Sequence, residues 1–190
     1  PIGIACALGA KKKNLSYIII EKGALVNSLY NYPDKMTFFS TSEKLELDNI
    51  PFVSTNAKPT KQEALEYYRR IVESQQLHIQ LFEDVKSIDN EQHLFTTTTS
   101  TTSYQSKNIV LATGFYDIPN YLNIPGEDLE KVTHYYRDPH FYATQKVVVV
   151  GASNSSVDAA LETYRKGADV TMIVRGEDIG KRVKYWVRPD

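Results

Sequence analysis

The spacing of apolar residues in the last third of the chain predicts one strand, turn, helix and strand unit. Four consecutive valines at positions 147–150, ending at Gly151, predict a parallel strand that is buried on both faces. Apolar residues at helical spacing then predict a helix over residues 157–166: Val157, Ala160, Leu161 and Tyr164. A second apolar run predicts a strand over residues 170–174: Val170, Met172, Ile173 and Val174. The turn of such a βαβ unit brings backbone N–H groups toward an anion, most often a dinucleotide pyrophosphate.

The first part of the chain predicts a second unit of the same kind with an antiparallel insertion. Residues 1–13 predict a helix that ends in three lysines, and residues 17–21 predict a buried strand with an acid at its end. The motif Thr60-Lys61-Gln62-Glu63 is a capping box, and the apolar stripe after it predicts a helix reaching about Gln76. Short strands are predicted at residues 77–82, 85–88, 94–99, 101–106 and 108–114.

These elements predict an α/β fold with two Rossmann-like units, the first carrying a β-meander insertion. A proline-rich crossing near residues 115–120 places the boundary between a first domain, residues 1–116, and a second, residues 117–190. The chain begins in the opening turns of a helix. We therefore expect a fragment that is truncated at both ends.

Composition narrows the class of protein. With 190 residues, 42% hydrophobic and 24% charged, the chain is an ordinary soluble globular one. A net charge of −1 disfavours nucleic acid as a partner, and no apolar run is long enough to span a bilayer. Because Cys6 is the only cysteine, the chain has neither an intramolecular disulfide nor a cysteine-rich metal site, and we expect no metal. The absence of a secretion signal and the cysteine usage indicate the cytoplasm.

The turn at residues 151–156 departs from the dinucleotide motif G-x-G-x-x-G at Ser153 and Ser156. Gly151 keeps the tight turn, Ser153 still lets a phosphate come near, and Ser156 allows close packing of helix on strand. Alone, this motif leaves a nucleotide site and a plain sheet turn equally open. Arg175, at the end of the next strand, favours a nucleotide site for NADPH, because a guanidinium pairs with the 2′-phosphate through two charge-assisted hydrogen bonds.

Three features of the first unit are candidates for a second dinucleotide. Glu21 ends a predicted strand and could bind ribose hydroxyls, or it could be an exposed strand-end acid. Residues 27–56 are aromatic and lack periodicity, which suits contact with a planar ring or simple packing on the core. The motif Ala112-Thr113-Gly114 allows close approach of a backbone at the carboxyl edge of a sheet.

Several motifs together resemble the two-dinucleotide-binding flavoprotein superfamily, which includes thioredoxin reductases and flavin monooxygenases. Within it the sequence is most similar to the bacillithiol-disulfide reductase-like flavoproteins. The motifs are Ile20-Glu21-Lys22-Gly23, Asn27-Ser28-Leu29-Tyr30-Asn31-Tyr32-Pro33, Thr37-Phe38-Phe39-Ser40, Pro125-Gly126-Glu127-Asp128-Leu129 and Asn154-Ser155-Ser156-Val157-Asp158. The resemblance implies FAD in the first domain, NADPH in the second, and hydride passing from nicotinamide to flavin and on to a small disulfide such as bacillithiol disulfide.

The resemblance also implies where the cofactors and acceptor bind. The candidate cofactor-binding residues are Gly3, Glu21, Lys22, Phe39, Val85, Ala112, Thr113 and Gly114 in the first unit and Gly151, Ser153, Asn154, Ser155, Ser156 and Arg175 in the second. The redox pair C-x-x-C of thioredoxin reductases is absent, and Ile2 stands where the bacillithiol group carries a cysteine. Cys6 is a weak candidate for the catalytic thiol: it lies beyond the first helical turn, among apolar residues that predict burial.

Three other functions stay open on sequence grounds. A flavin monooxygenase would carry F-x-G-x-x-x-H, but Asp128 and Glu130 occupy the Phe and Gly positions when His134 is its histidine. A cysteine-free reductase resembling ferredoxin–NADP reductase needs no thiol, and a nucleotide-sensing module needs no reaction. His134 and His140 are either proton donors or structural residues. For the full-length protein we expect a small-molecule acceptor and a homodimer or larger homo-oligomer.

Overall fold

The computed structural model describes residues 1–179, 183, 184 and 187. The chain divides into two compact units, Pro1–Tyr135 and Tyr136–Asp190. Helices lie at α1 Ile2–Lys12, α2 Asn27–Tyr30, α3 Lys61–Ser74 and α4 Asn154–Tyr164, with 3₁₀ turns at Ser42–Leu45 and Pro139–Tyr142. Strands lie at β1 Ile19–Ile20, β2 Ile79–Gln80, β3 Val85–Glu91, β4 Leu94–Thr99, β5 Ser103–Ser106, β6 Lys146–Val150 and β7 Asp169–Ile173.

The core of the first unit lies between α1, α3 and the loop that joins β1 to α3. Its buried members are Ile4, Ala7, Leu8, Val26, Leu29, Phe52, Ala64, Tyr67, Tyr68, Ile71 and Leu77. Strands β1 and β2 pair in parallel beside this core, with Ile19 opposite Ile79. Both strands are shorter than predicted, because only two residues of each form the ladder. The loop predicted to be irregular contains α2 and a 3₁₀ turn.

The predicted capping box at the start of α3 is confirmed. The Thr60 hydroxyl accepts a hydrogen bond from the Glu63 N–H at 3.3 Å, and the Glu63 carboxylate accepts one from the Thr60 N–H at 2.7 Å. These two bonds satisfy donors that a helix start leaves without partners. The helix then buries Ala64, Tyr68 and Ile71 of its predicted stripe.

The predicted meander is confirmed for its last three strands, whereas its first predicted strand, residues 77–82, contains β2, which pairs in parallel with β1. Strand β3 pairs antiparallel with β4, and β4 pairs antiparallel with β5. Strand β4 has the bounds expected from its run of threonines. Thr97 and Thr99 are buried on one face of this sheet, so the threonine run forms a strand rather than a low-complexity linker.

In the second unit β6 and β7 pair in parallel and α4 connects them, as predicted. The prediction that β6 is buried on both faces is wrong, because Val148 is 61% and Val150 54% exposed. The predicted stripe of α4 is wrong at Tyr164, which is 65% exposed, and Thr163 is buried in its place. A threonine is tolerated there because its hydroxyl donates to the Ala159 carbonyl oxygen at 2.7 Å.

Residues 108–114 do not form the predicted strand. They have no regular secondary structure, and within the described part of the chain no strand pairs with them. Val110 and Leu111 are consequently exposed. An apolar run with a glycine at its end predicts a strand from side-chain preference alone, whereas a strand also needs a neighbouring backbone with which to form hydrogen bonds.

The parallel pairs, the connecting helices and the inserted meander confirm the predicted α/β class with two Rossmann-like units. The predicted boundary between residues 116 and 117 separates the two domains by the cofactor that each binds, and it stays a prediction. Among the described residues no helix combines the length and apolarity that a membrane crossing requires.

Candidate dinucleotide-binding sites

The backbone turns sharply after β1, and Glu21 lies in this turn. Its Oε1 accepts a hydrogen bond from the Gly23 N–H at 3.1 Å, and the Asn27 Oδ1 accepts one from the Ala24 N–H at 3.3 Å. A Cβ on Gly23 would lie 2.4 Å from the Asn27 Cγ. A side chain at position 23 would therefore displace that of Asn27, and with glycine the turn keeps a half-buried carboxylate beside bare backbone.

We call this turn the Glu21 corner and define it as residues 21–27. Two other segments approach the residues that flank it, Ile19 and Ser28. A Cβ on Gly3, in the first turn of α1, would lie 3.8 Å from the Ala112 Cβ and 3.9 Å from the Ile19 Cγ2. Gly114 has a φ of +70°, and a Cβ there would lie 3.2 Å from the Ser28 Oγ. The start of α1, the end of β1 and the segment 112–114 thus come together, as the candidate residues of this unit require.

Lys22 lies on the exposed side of the corner and forms an ion pair with Asp117. The hydrogen bond from its ammonium group to this carboxylate raises the pKa of Lys22. The pair links the corner to the chain just after the Ala112-Thr113-Gly114 motif. Lys22 is thus already engaged by a carboxylate, and its predicted contact with a cofactor would compete with this pair.

Val85 and Phe39 are the remaining candidates in this unit. Val85 begins β3, two residues after Glu83, whose N–H donates to the Glu21 carbonyl oxygen at 3.0 Å. Phe39 is exposed and follows Phe38, whose N–H donates to the Pro59 carbonyl oxygen at 2.9 Å. The backbone of Glu83 thus ties the start of β3 to the Glu21 corner, and contact of Val85 or Phe39 with a cofactor stays a prediction.

The turn of the second unit is closed by its own residues. Gly151 has a φ of +128°, and a Cβ there would lie 3.0 Å from the Ser156 Oγ. The Ser156 hydroxyl donates to the Ser153 carbonyl oxygen at 2.9 Å and accepts from the Ser153 N–H at 3.0 Å. Ser156 therefore does more than permit close packing, since it fixes the shape of the turn. Helix α4 begins directly after Ser153, and the N-terminus of a helix favours a bound anion.

Arg175 lies two residues beyond the end of β7 and is exposed. The Gly151 N–H donates to the Ile173 carbonyl oxygen at 2.9 Å, so the end of β7 lies beside the turn. Its place after β7 is that of the ribose-reading residue of a Rossmann unit, and the binding of a 2′-phosphate by Arg175 stays a prediction.

Asn154 and Lys184 form a further contact at the start of α4 that the sequence analysis missed. The Asn154 Oδ1 accepts from the Lys184 N–H at 2.8 Å, and the Lys184 ammonium pairs with Asp158 at 2.5 Å. The side chain of Asn154 thus holds a neighbouring segment as well as occupying the predicted nucleotide turn. Lys184 and Asp158 are 26 positions apart in the sequence. No sequence motif predicts this contact, and only their proximity in the structure identifies it.

Cys6 is exposed, and the prediction that it is buried is wrong. On α1 the side chains of Ile4, Ala7 and Leu8 face the core, and Cys6 falls on the other face of the helix. Apolar neighbours in sequence predicted burial, but in a helix the neighbours in space are three and four positions away.

His134 belongs to a hydrogen-bonded turn in the crossing segment. Its Nε2 lies 2.9 Å from the Glu127 Oε1, and the same carboxylate accepts the Leu122 N–H at 2.8 Å and the Asn123 N–H at 2.6 Å. The backbone bond from Leu122, followed by the contact with His134, lowers the pKa of Glu127 to about 2. These contacts favour a structural role for His134 over that of a proton donor.

The described residues thus provide two separate corners with the chemistry that dinucleotides need. The Glu21 corner offers a carboxylate for ribose hydroxyls, together with glycines at which an added Cβ would meet neighbouring atoms. The turn at residues 151–156 offers the first amides of α4 for a pyrophosphate and Arg175 for a 2′-phosphate. On two α/β units, this combination suits the binding of two dinucleotides.

The chain belongs to the pyridine nucleotide-disulphide oxidoreductase family, which matches it over residues 1–190. It is 44% identical to the bacilliredoxin reductase Bdr of Bacillus subtilis over 191 aligned residues, covering 100% of this chain and 59% of that protein. Two solved structures of bacillithiol disulfide reductase Bdr are similar. That from Bacillus cereus has a TM-score of 0.95 at 43% identity, with 98% of this chain and 59% of that one covered. That from Staphylococcus aureus has a TM-score of 0.95 at 41% identity, with 98% and 58% covered.

These relatives confirm the predicted resemblance and the prediction of FAD and NADPH as cofactors. The chain spans less than two thirds of the length of each of them. The missed residues of the site are Gly23, Asn27 and Lys184. The spacing of Glu21, Gly23 and Asn27 in the sequence is a local signal that could have identified Gly23 and Asn27.

Proposed function

We propose that the protein is an FAD-dependent oxidoreductase that uses NADPH to reduce a low-molecular-weight disulfide of the bacillithiol type. The observation that carries the proposal is the presence of two dinucleotide corners, one at Glu21 and one at residues 151–156 with Arg175, in a chain 44% identical to a bacilliredoxin reductase. In the balanced reaction NADPH and one proton reduce one disulfide to two thiols, and NADPH leaves as NADP⁺.

Each group of residues has a separate role in this reaction. Bound FAD supplies the two-electron redox chemistry between the nicotinamide and the disulfide. Glu21 accepts hydrogen bonds from ribose hydroxyls of the flavin dinucleotide, and the first-turn amides of α4 bind the pyrophosphate of NADPH. Arg175 selects NADPH over NADH through its 2′-phosphate. Cys6 is exposed but lies outside the first turn of α1, where a helix activates a thiol. It therefore stays a weak candidate for the redox thiol.

We place this reaction in the reducing cytoplasm, where a low-molecular-weight disulfide must be returned to thiol. We expect a homodimer or larger homo-oligomer of the full-length protein, which light scattering after size-exclusion chromatography measures directly.

Anaerobic stopped-flow measurements on the full-length protein test the proposal. The purified protein should be yellow, and NADPH should bleach the flavin absorbance. Mixing the reduced protein with bacillithiol disulfide should restore the absorbance faster than mixing with oxygen or ferredoxin. Fastest recovery with ferredoxin would favour a cysteine-free electron-transfer reductase, and fastest recovery with oxygen would favour a monooxygenase. A folded full-length protein that takes up no FAD would exclude a flavoenzyme.

A further inference from the structure

Glu83 is a buried carboxylate that belongs to neither predicted cofactor site. It lies between β2 and β3 and is 6% exposed. Its Oε1 accepts hydrogen bonds from the hydroxyls of Thr99 at 2.5 Å, Thr101 at 2.7 Å and Tyr104 at 3.1 Å. Burying a carboxylate is costly unless hydrogen bonds satisfy it, so this cluster is an anchor that binds residue 83 to the β4–β5 hairpin.

The backbone around Glu83 reaches in the opposite direction, to the Glu21 corner. The Glu83 N–H donates to the Glu21 carbonyl oxygen at 3.0 Å, and the Phe82 N–H donates to the Gly23 carbonyl oxygen at 3.2 Å. Phe82 has a φ of +57° and is 72% exposed. A left-handed backbone at a bulky residue is strained and persists where its surroundings hold it. Residues 82 and 83 therefore bridge the hairpin and the corner.

The charge of Glu83 suits this anchor. The hydrogen bond from Thr99, followed by that from Thr101, lowers the pKa of Glu83 below its usual range. An ionised carboxylate only accepts hydrogen bonds, and each of its three neighbours has a hydroxyl to donate. Replacing Glu83 by glutamine removes the negative charge that strengthens these bonds and puts an NH₂ group in place of Oε2, which accepts from the Tyr104 hydroxyl at 3.1 Å.

We propose that Glu83 is a positioning residue for the adenosine half of FAD: held by Thr99, Thr101 and Tyr104, it fixes the backbone that orients Glu21 and Gly23. Glu83 itself does not touch the cofactor and acts through residues 21–23. This inference rests on the proposed function, because it requires the Glu21 corner to bind the ribose of FAD.

The test compares FAD affinity and thermal stability in full-length apoprotein variants. Flavin fluorescence quenching gives the Kd of FAD and of FMN, which lacks the adenosine half. Glu83→Gln should raise the Kd of FAD about tenfold and leave that of FMN unchanged, because a charged hydrogen-bond network is lost only at the adenosine end. Tyr104→Phe removes one donor and should raise the Kd of FAD about threefold.

Glu63→Gln is the matched control. Glu63 is also a carboxylate with a lowered pKa, about 2, held by the Thr60 backbone and the Ser54 hydroxyl, but it caps α3 and has no bond to the Glu21 corner. This variant should lower the melting temperature while the Kd of FAD stays within about twofold of wild type.

An unchanged Kd of FAD in Glu83→Gln overturns the inference, as does an equal weakening in Glu63→Gln. If Glu83→Gln does not fold, Tyr104→Phe decides: a wild-type Kd of FAD in that variant overturns the inference. A folded wild-type apoprotein that takes up no FAD overturns both the inference and the proposed function, whereas wild-type uptake with unaffected variants overturns the inference alone.

Discussion

The two candidate dinucleotide corners of this molecule are built in opposite ways. The turn at residues 151–156 is a continuous stretch in which Ser156 closes the backbone of Ser153. The Glu21 corner is assembled from segments that are far apart in sequence, including Gly3, Glu83 and Gly114. A continuous turn is vulnerable to a change within it, whereas an assembled corner shares its stability among several remote contacts.

Gly151→Ala should have the largest effect, because the added Cβ would meet Ser156, the residue that fixes the shape of the turn. The new Cβ would lie 3.0 Å from the Ser156 Oγ on a backbone with a φ of +128°. Strain and overpacking each cost about 1–3 kcal/mol. We expect the KM of both NADPH and NADH to rise roughly 100-fold, as measured by steady-state flavin reduction.

Gly167→Ala is the matched control for Gly151→Ala. Gly167 also has a positive φ, +83°, but nothing lies within 4 Å of its added Cβ. This variant should lose stability in a thermal melt and keep its KM for NADPH. Equal KM values for NADPH in the two variants would contradict a specific role of the Gly151 turn in NADPH binding.

Arg175→Ala should have the next largest effect and should separate the two nicotinamide cofactors. Losing a charge-assisted hydrogen bond costs about 1.5–3 kcal/mol, which corresponds to a rise in the KM of NADPH of roughly 10- to 100-fold. The KM of NADH should change little, since NADH has no 2′-phosphate. The same rise for both cofactors would remove Arg175 from the 2′-phosphate site.

Gly23→Ala tests the assembled corner and should have a smaller effect. The Asn27 side chain must move away from the new Cβ, which costs its hydrogen bond to the Ala24 N–H. A loss of about 1 kcal/mol should raise the Kd of FAD roughly fivefold, while the KM of NADPH stays unchanged. A loss as large as that of Gly151→Ala would contradict the contrast between the two corners.

Cys6→Ala should have the smallest effect. The thiol is exposed but lies in the second turn of α1, away from the end of the helix that activates a thiol. NADPH-driven turnover with the disulfide should remain nearly unchanged. Loss of the disulfide half-reaction, with FAD content and flavin reduction intact, would instead identify Cys6 as the redox thiol.

The same contrast explains which features the sequence predicts. The capping box of Thr60 and Glu63, the strand β4 and the turn at residues 151–156 depend on residues within a few positions of each other, and each was predicted. Whether Val148 and Cys6 are buried depends on what covers the other face of a sheet or helix. Sequence periodicity shows that a residue is apolar but not whether a neighbouring element packs against it.

The cluster around Glu83 shows most clearly what the sequence alone does not predict. A glutamate beside an aspartate between two strands predicts an exposed loop, and the threonines that satisfy it lie 16 and 18 positions away. Strand pairing brings them together, so the cluster follows from the register of the meander rather than from a motif. Similarly, residues 108–114 have the composition of a strand but lack a described partner.

The stoichiometry of the anaerobic reaction tests the central claim most directly. Full-length protein is mixed with a limiting amount of NADPH and an excess of bacillithiol disulfide without oxygen, and free thiols and NADP⁺ are then quantified. A disulfide reductase releases two thiols for each NADPH oxidised, and this is the result we predict. Oxidation of NADPH without release of thiol, or no oxidation until oxygen or ferredoxin is added, would contradict it.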